Sequence, residues 1–114
     1  IPYYMEYANG VRKKHRYFMD FWMRVEQEDG TFKEYLVEVK PQSQKDDAFL
    51  IREGKALPTP KKTTKKSAYR YNKRIMAAAK NNEKWLATEA VCTQLRAKGR
   101  DICFLIMTER DLPV

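Results

Sequence analysis

At 114 residues the chain has room for one hydrophobic core and not for two. Lysine and arginine number 23 against 15 aspartates and glutamates, and the resulting net charge of +8 favours an anionic partner, with nucleic acid the commonest candidate. No apolar run approaches the roughly 20 residues that span a bilayer, no signal peptide is visible, and two separated cysteines, Cys92 and Cys103, read as reduced thiols rather than a disulfide framework. A membrane role is therefore not expected, and a reducing compartment is.

Residues 1–7 are apolar and aromatic behind Pro2, as in an edge strand or the first strand of a sheet. Asn9 and Gly10 then mark a tight turn. The cluster that follows (Arg12, Lys13, Lys14, His15, Arg16) has two readings, a solvated hairpin end or a contact to a phosphate backbone through Lys13, Lys14 and Arg16. His15, the single histidine, reads as a bystander. Residues 16–25 form a strand-like run in which Tyr17, Met19, Phe21, Met23 and Val25 alternate with Phe18, Asp20, Trp22 and Arg24. The first set is expected to join Val37 and Val39 as the core face under the helices, and the second to floor a cleft.

Glu28, Asp29 and Gly30 signal a hairpin whose glycine takes the left-handed position. The returning strand ends in Tyr35, Leu36, Val37, Glu38, Val39, Lys40 and Pro41. Glu38 and Lys40, two apart, share one face of it. A three-residue loop symmetric about Asp29 sets Asp20 opposite Glu38, with Cβ atoms about 5 Å apart. Two carboxylates that close repel unless a cation lies between them. A two-residue turn at Asp29 and Gly30 would instead shift the pairing by one and send Asp20 to the other face.

After Pro41, residues 42–47 look turn-like, and 48–52 suit either a helical turn or a docking strand. From 53 to 67 the composition turns to glycine, prolines, threonines and lysines (Lys55, Lys61, Lys62, Lys65, Lys66), as in a basic mobile loop that either solubilises the protein or grips phosphates. Residues 68–98 are helical in composition, with Asn81 and Asn82 breaking the run or capping a second helix. Trp85, Cys92 and Leu95 recur at helical spacing and should pack on the sheet, with Leu86 and Ala90 widening the contact. Gly99 supplies the stop. Arg70, Lys73, Arg74 and Lys80 make an opposite stripe, facing solvent or DNA. Residues 101–107 form an apolar run suited to a strand buried on both faces and parallel to a neighbour, and 108–111 read as a helix cap and tail.

An aspartate followed on the next strand by E-x-K, here M-D-F and E-V-K, resembles the PD-(D/E)xK nuclease superfamily. The likeness runs closer, along most of the chain, to the head-completion nucleases of tailed phages. It rests on I-P-Y (1–3), Y-x-x-D-F (17–21), E-V-K-P (38–41), P-x-P-K-K-x-x-K-K (58–66), N-x-x-K-W (81–85) and T-E-x-D-L (108–112). Met19 stands where the proline is usual, and the acidic residue that such nucleases often add from a preceding helix has no counterpart in these residues. The resemblance implies a single nuclease-like α/β domain over 1–114, a mixed central β-sheet with flanking helices and a restriction-endonuclease-like core. It also raises the loop's reading as a phosphate-gripping arm, and it alone suggests Asn81 and Lys84 as groups near the cleft.

Phosphodiester hydrolysis needs charge neutralisation and an activated water, and Mg2+, with Mn2+ able to substitute, supplies much of this through hard oxygen ligands. Asp20 and Glu38 are the expected ligands, with the backbone carbonyl of Val39 as a third. Lys40 would orient or deprotonate the attacking water or stabilise developing charge. The bland alternative is an ion-paired solvent face. Neither cysteine has an activating partner, and two cysteines with one histidine do not make a zinc site. The expectation is a Mg2+-dependent endodeoxyribonuclease acting on double-stranded DNA, contacted by Lys13, Lys14, Arg16, Lys61, Lys62, Lys65, Lys66, Arg70, Lys73 and Lys84. By resemblance it would process DNA ends during head completion in the host cytoplasm or on the virion, with head or portal proteins as partners and homodimerisation open. The rivals are a non-catalytic DNA-binding or head-plugging protein, and a transposon-end or junction-cutting nuclease of the same superfamily.

Overall fold

The computed structural model describes residues 1–7 and 10–111. Strands β1 (Pro2–Glu6) and β2 (Arg12–Arg16) form an antiparallel ribbon of their own. Strands β3 (Phe21–Glu26) and β4 (Phe32–Val39) pair as a hairpin, helices α1 (Gln42–Arg52) and α2 (Lys65–Ala97) follow, and β5 (Ile102–Met107) returns parallel to β4. The second sheet is thus mixed, in the order β3-β4-β5. The α/β architecture expected from the sequence holds, with the first strand set apart in the ribbon. The turn expected at Asn9 and Gly10 involves Asn9, outside the described residues.

The hairpin register follows its turn. Gly30 takes φ +84°, its N–H bonds to the Gln27 carbonyl at 3.0 Å, and the Asp29 carboxylate accepts from the Thr31 N–H at 3.0 Å. Phe21 then pairs with Val37 and Glu26 with Phe32, which is the symmetric register. The strand expected over 16–25 is interrupted, however. Arg16 closes the ribbon, residues 17–20 leave strand geometry, and β3 begins at Phe21.

The helices cover the face opposite to the one expected. Tyr3, Met5, Tyr17, Ala48 and Trp85 form the buried cluster, and Phe104 and Ile106 pack against it. Phe104 pairs with Leu36 and Ile106 with Glu38, so the covered face is the Glu38 face. Phe21, Met23, Val25, Val39 and Leu105, on the other face, are exposed, although Val37 at the centre of the sheet is buried. Alternation fixes which residues share a face but not which face receives the helices, and β5, apolar on both, gives no sign. Leu105 is exposed, so β5 is not buried on both sides as expected.

Both helices depart from their expected bounds. Residues 42–52 are one helix throughout, neither turn nor strand, with Asp47 and Ala48 on the buried side. Its first N–H, on Gln42, donates to the Glu109 carboxylate at 2.9 Å, an anion at a helix N-terminus. The 108–111 segment therefore caps α1 and not a helix of its own. Thr108, buried, ties the two by donating to the Gln42 side-chain oxygen at 2.7 Å, while the Thr108 N–H donates to Asp111 at 2.8 Å.

Helix α2 starts at Lys65, inside the stretch expected as loop, where Thr64 and Ser67 form a capping box. The preceding loop is tied down by buried Leu57, whose carbonyl accepts from the Tyr71 hydroxyl at 2.8 Å. Asn81 and Asn82 do not break the helix. Both are buried, and the Asn82 side-chain oxygen, Oδ1, accepts from Arg52 Nε at 2.9 Å, which removes its incentive to bond the local backbone. Trp85 and Cys92 are buried as the spacing suggests, with Thr88 between them, and Leu95 is half-buried, but Leu86 and Ala90 are exposed and do not widen the contact. Gly99, at φ +96°, ends the helix.

Candidate functional site

The site lies where β3 has ended and β4 has not. Asp20, just before β3, is exposed, and one carboxylate oxygen accepts from the Val39 N–H at 2.9 Å. A residue in an antiparallel ladder turns its N–H and C=O to the same side. The ladder stops at the Phe21–Val37 pair, so the Val39 carbonyl is aimed at the same gap as the Asp20 carboxylate. Lys40, next along, has already crossed to the other neighbour, its N–H donating to the Met107 carbonyl at 3.0 Å.

Glu38 enters from the helix-covered face and is 3 % exposed. A buried carboxylate is costly unless it is hydrogen-bonded and paired. The Tyr17 hydroxyl donates a short hydrogen bond to one of its oxygens, and Lys40 Nζ lies 3.5 Å from the other. Burial, and then the bond to Glu38, push the Tyr17 phenol far above its ordinary range, so it stays a donor at any working pH. Tyr17 was expected as core only. The Y-x-x-D spacing held the signal, but strand alternation placed Tyr17 and Asp20 on opposite faces, an argument that lapses because residues 17–20 are not strand.

Lys84 reaches the same place from α2. Its ammonium sits over the Tyr17 ring, 5.1 Å from the centroid. Burial depresses its pKa first, the positive charges of Lys80 and Lys40 push the same way, and Glu38 and Asp20 oppose them. Asp20 and Glu38 both act on Tyr17 as well. Three elements thus converge, with Asp20 from the segment before β3, Glu38, Val39 and Lys40 from the end of β4, and Lys84 from α2. Asn81, suggested with Lys84, is buried one turn away.

The groups that could hold a cation here are two carboxylates and a main-chain carbonyl, all hard oxygens. Among the described residues no group of three or more His, Cys, Asp or Glu side chains could hold a metal. That set fits magnesium, which commonly binds one or two carboxylates and keeps several waters. It does not fit zinc. His15 stacks on Tyr3 with ring centroids 5.3 Å apart, in keeping with a bystander, and both cysteines are free.

The other cations divide into groups. Lys13, Lys14 and Arg16 are exposed on β2, and Lys61 and Lys62 are exposed on the loop before α2. Lys65, Lys66, Arg70 and Lys73 are exposed along the first turns of α2. Arg74, expected in their stripe, is turned to buried Asp47 in a two-pronged pair at 2.7 and 2.8 Å. No helix among the described residues is long and apolar enough to cross a membrane.

Residues 2–109 match the family described as TnsA-like endonuclease N terminal. The chain is also similar to the head completion nuclease of Enterobacteria phage T4, with 31% identity over 112 residues. That alignment takes in 98% of the chain but 61% of the T4 protein, so the chain spans less than two thirds of its relative's length. No solved structure matches the chain significantly.

Proposed function

The chain belongs to the family of TnsA-like endonuclease N-terminal domains, and from that premise we propose that it is a divalent-metal-dependent endonuclease acting on double-stranded DNA. One observation carries the reading: a carboxylate left only 3 % exposed, Glu38, is held at the same strand end as the Asp20 carboxylate and the Val39 carbonyl, with two lysines beside them. A buried carboxylate is costly, and a cation held there would offset that cost.

A magnesium ion held by Asp20, Glu38 and the Val39 carbonyl would supply positive charge at the scissile phosphate and acidify a bound water. The chain's own groups do the rest. Tyr17 fixes one Glu38 oxygen and leaves the other turned toward Lys40. Lys40 orients the attacking water, which forms the new phosphorus–oxygen bond as the bond to the departing sugar oxygen breaks. Lys84, desolvated and therefore strong in its field, donates to a non-bridging oxygen where charge grows in the transition state. Lys13, Lys14, Arg16, Lys61, Lys62, Lys65, Lys66, Arg70 and Lys73 bring in the phosphate backbone.

The name of the T4 relative supports a finer assignment. In it, the protein processes DNA ends as a phage head is completed, in the cytoplasm of the host cell, with head or portal proteins as partners and a second copy cutting the other strand. The experiment is incubation of plasmid and linear DNA with Mg2+, Mn2+ or EDTA, comparing wild type with Asp20→Ala, Glu38→Ala and Lys40→Ala. Cleavage that needs the metal and falls at least ~100-fold in each variant, while binding persists, is the expected result. Binding without cleavage by the wild type would overturn it in favour of a head-plugging role.

A further inference from the structure

We propose that one face of the N-terminal half of α2 is a track for duplex DNA, a straight line of cations that carries a phosphate backbone into the Asp20–Glu38 site. The inference rests on the nuclease reading above and adds the path. At 3.6 residues per turn, Lys66, Arg70, Lys73 and Lys80 fall within about 40° of the helix line through Lys84, and Lys66 falls on it. Lys84 is the residue over Tyr17 at the site. The line therefore has one end fixed by the chemistry, and its other end lies about 27 Å away at a rise of 1.5 Å per residue.

Between Lys66 and Lys80, α2 itself carries nothing on this face that opposes an anion. Residues 65–82 contain no acidic residue, and the acids of α2, Glu83 and Glu89, point about 100° and 140° off the line. Lys66, Arg70, Lys73 and Lys80 are exposed, and among the described residues none of them is in a salt bridge. Arg74, off the line, is the cation of this half that an acid neutralises. At the gap between Lys73 and Lys80 stands Ala77, exposed and small, where a backbone can come close. The far end opens on a cavity of about 540 Å³ lined by Pro58, Lys62, Lys66 and Arg70, so the cationic surface becomes concave where the loop folds back on the helix.

The shape selects the partner. A rigid row of fixed charges about 27 Å long matches about eight base pairs of duplex, at 3.4 Å per charge on one strand. Single-strand binders stack successive bases on aromatic rings. Here the aromatics at the row are already taken, the Tyr69 ring covered by Lys73 at 5.0 Å and the Tyr17 ring at the site end by Lys84 at 5.1 Å.

The test is duplex affinity as a function of salt, in EDTA so that nothing is cut. A triple substitution on the line, Lys66→Gln, Arg70→Gln and Lys73→Gln, is compared with one of equal charge off it, Arg24→Gln, Lys33→Gln and Lys55→Gln. The line triple should flatten the log–log slope by about 2.7, at about 0.9 per phosphate contact, and the other triple should leave it near the wild-type value. Ala77→Glu, which keeps a good helix former at an exposed site, should weaken duplex binding about 10-fold without changing helicity, and it carries the test if the triple misfolds. Equal slopes for the two triples, or unchanged affinity in Ala77→Glu, overturn the track while leaving the nuclease reading intact. A wild type that binds no duplex overturns both.

Discussion

The two halves of α2 share a backbone and little else. From Ala78 onward the helix buries Ala78, Asn81, Asn82, Trp85, Thr88 and Cys92, and its packing holds the sheet and ribbon together. Before Ala78 it contributes no residue to that buried set, and its cations, Arg74 apart, are not neutralised by acids. Continuity of secondary structure is therefore not continuity of role. One half is held by buried side chains and the other by its capping box, the Tyr71–Leu57 bond and the Arg74–Asp47 pair, with its remaining cations left in solvent; Lys84 belongs to both because it is half-buried and its ammonium lies at the site.

Substitutions can break that contrast, and the largest effect belongs to the buried half. Trp85→Ala removes a fully buried indole and should cost about 3–5 kcal/mol in denaturant unfolding, enough to endanger folding. Arg70→Ala, on the other half, should move stability by less than about 0.5 kcal/mol in the same measurement. Comparable losses at the two positions would erase the distinction.

Across the seam, Tyr17→Phe keeps the ring under Lys84 and deletes the hydroxyl that fixes Glu38. The Mg2+ concentration for half-maximal cleavage should rise about 10-fold, with duplex binding in EDTA unchanged. A purely structural tyrosine would lower the unfolding midpoint and leave the metal dependence where it was.

The smallest effect expected is on pH. The Lys84 pKa lies below the ordinary lysine value because burial penalises its charge, so the ammonium is complete at low pH and lost, as pH rises, before an exposed lysine would lose it. Its charge disfavours the fold, so stability should rise as the pH climbs through that depressed pKa, while the alkaline limb of cleavage falls. Lys84→Arg keeps the charge and should move the alkaline limb upward. An unchanged limb would remove Lys84 from the chemistry.

How much of this could be read from the chain depended on the range of the interactions. The hairpin was legible because Asp29 and Gly30 mark it locally, but they left two registers open, and the structure takes the symmetric one, which brings Asp20 to the neighbourhood of Glu38. The covered face was not legible, since Ile102, Phe104 and Ile106 are no more apolar than Cys103, Leu105 and Met107. Asn81 and Asn82 looked like a helix break because Arg52, which occupies Asn82, lies 30 residues away. Glu109 looked like a cap for its own segment because its partner, Gln42, is 67 residues off. Lys84 was named by resemblance alone, although its helical phase with Lys66 and Lys73 was available in the sequence.

The central claim is that Asp20, Glu38 and the Val39 carbonyl form one cation site, and Mn2+ binding followed by the loss of its free-ion electron paramagnetic signal tests it most directly. The account predicts that wild-type protein depletes the signal and that Glu38→Gln and Asp20→Asn, each folded as judged by circular dichroism, do not. Equal depletion by all three proteins would contradict it.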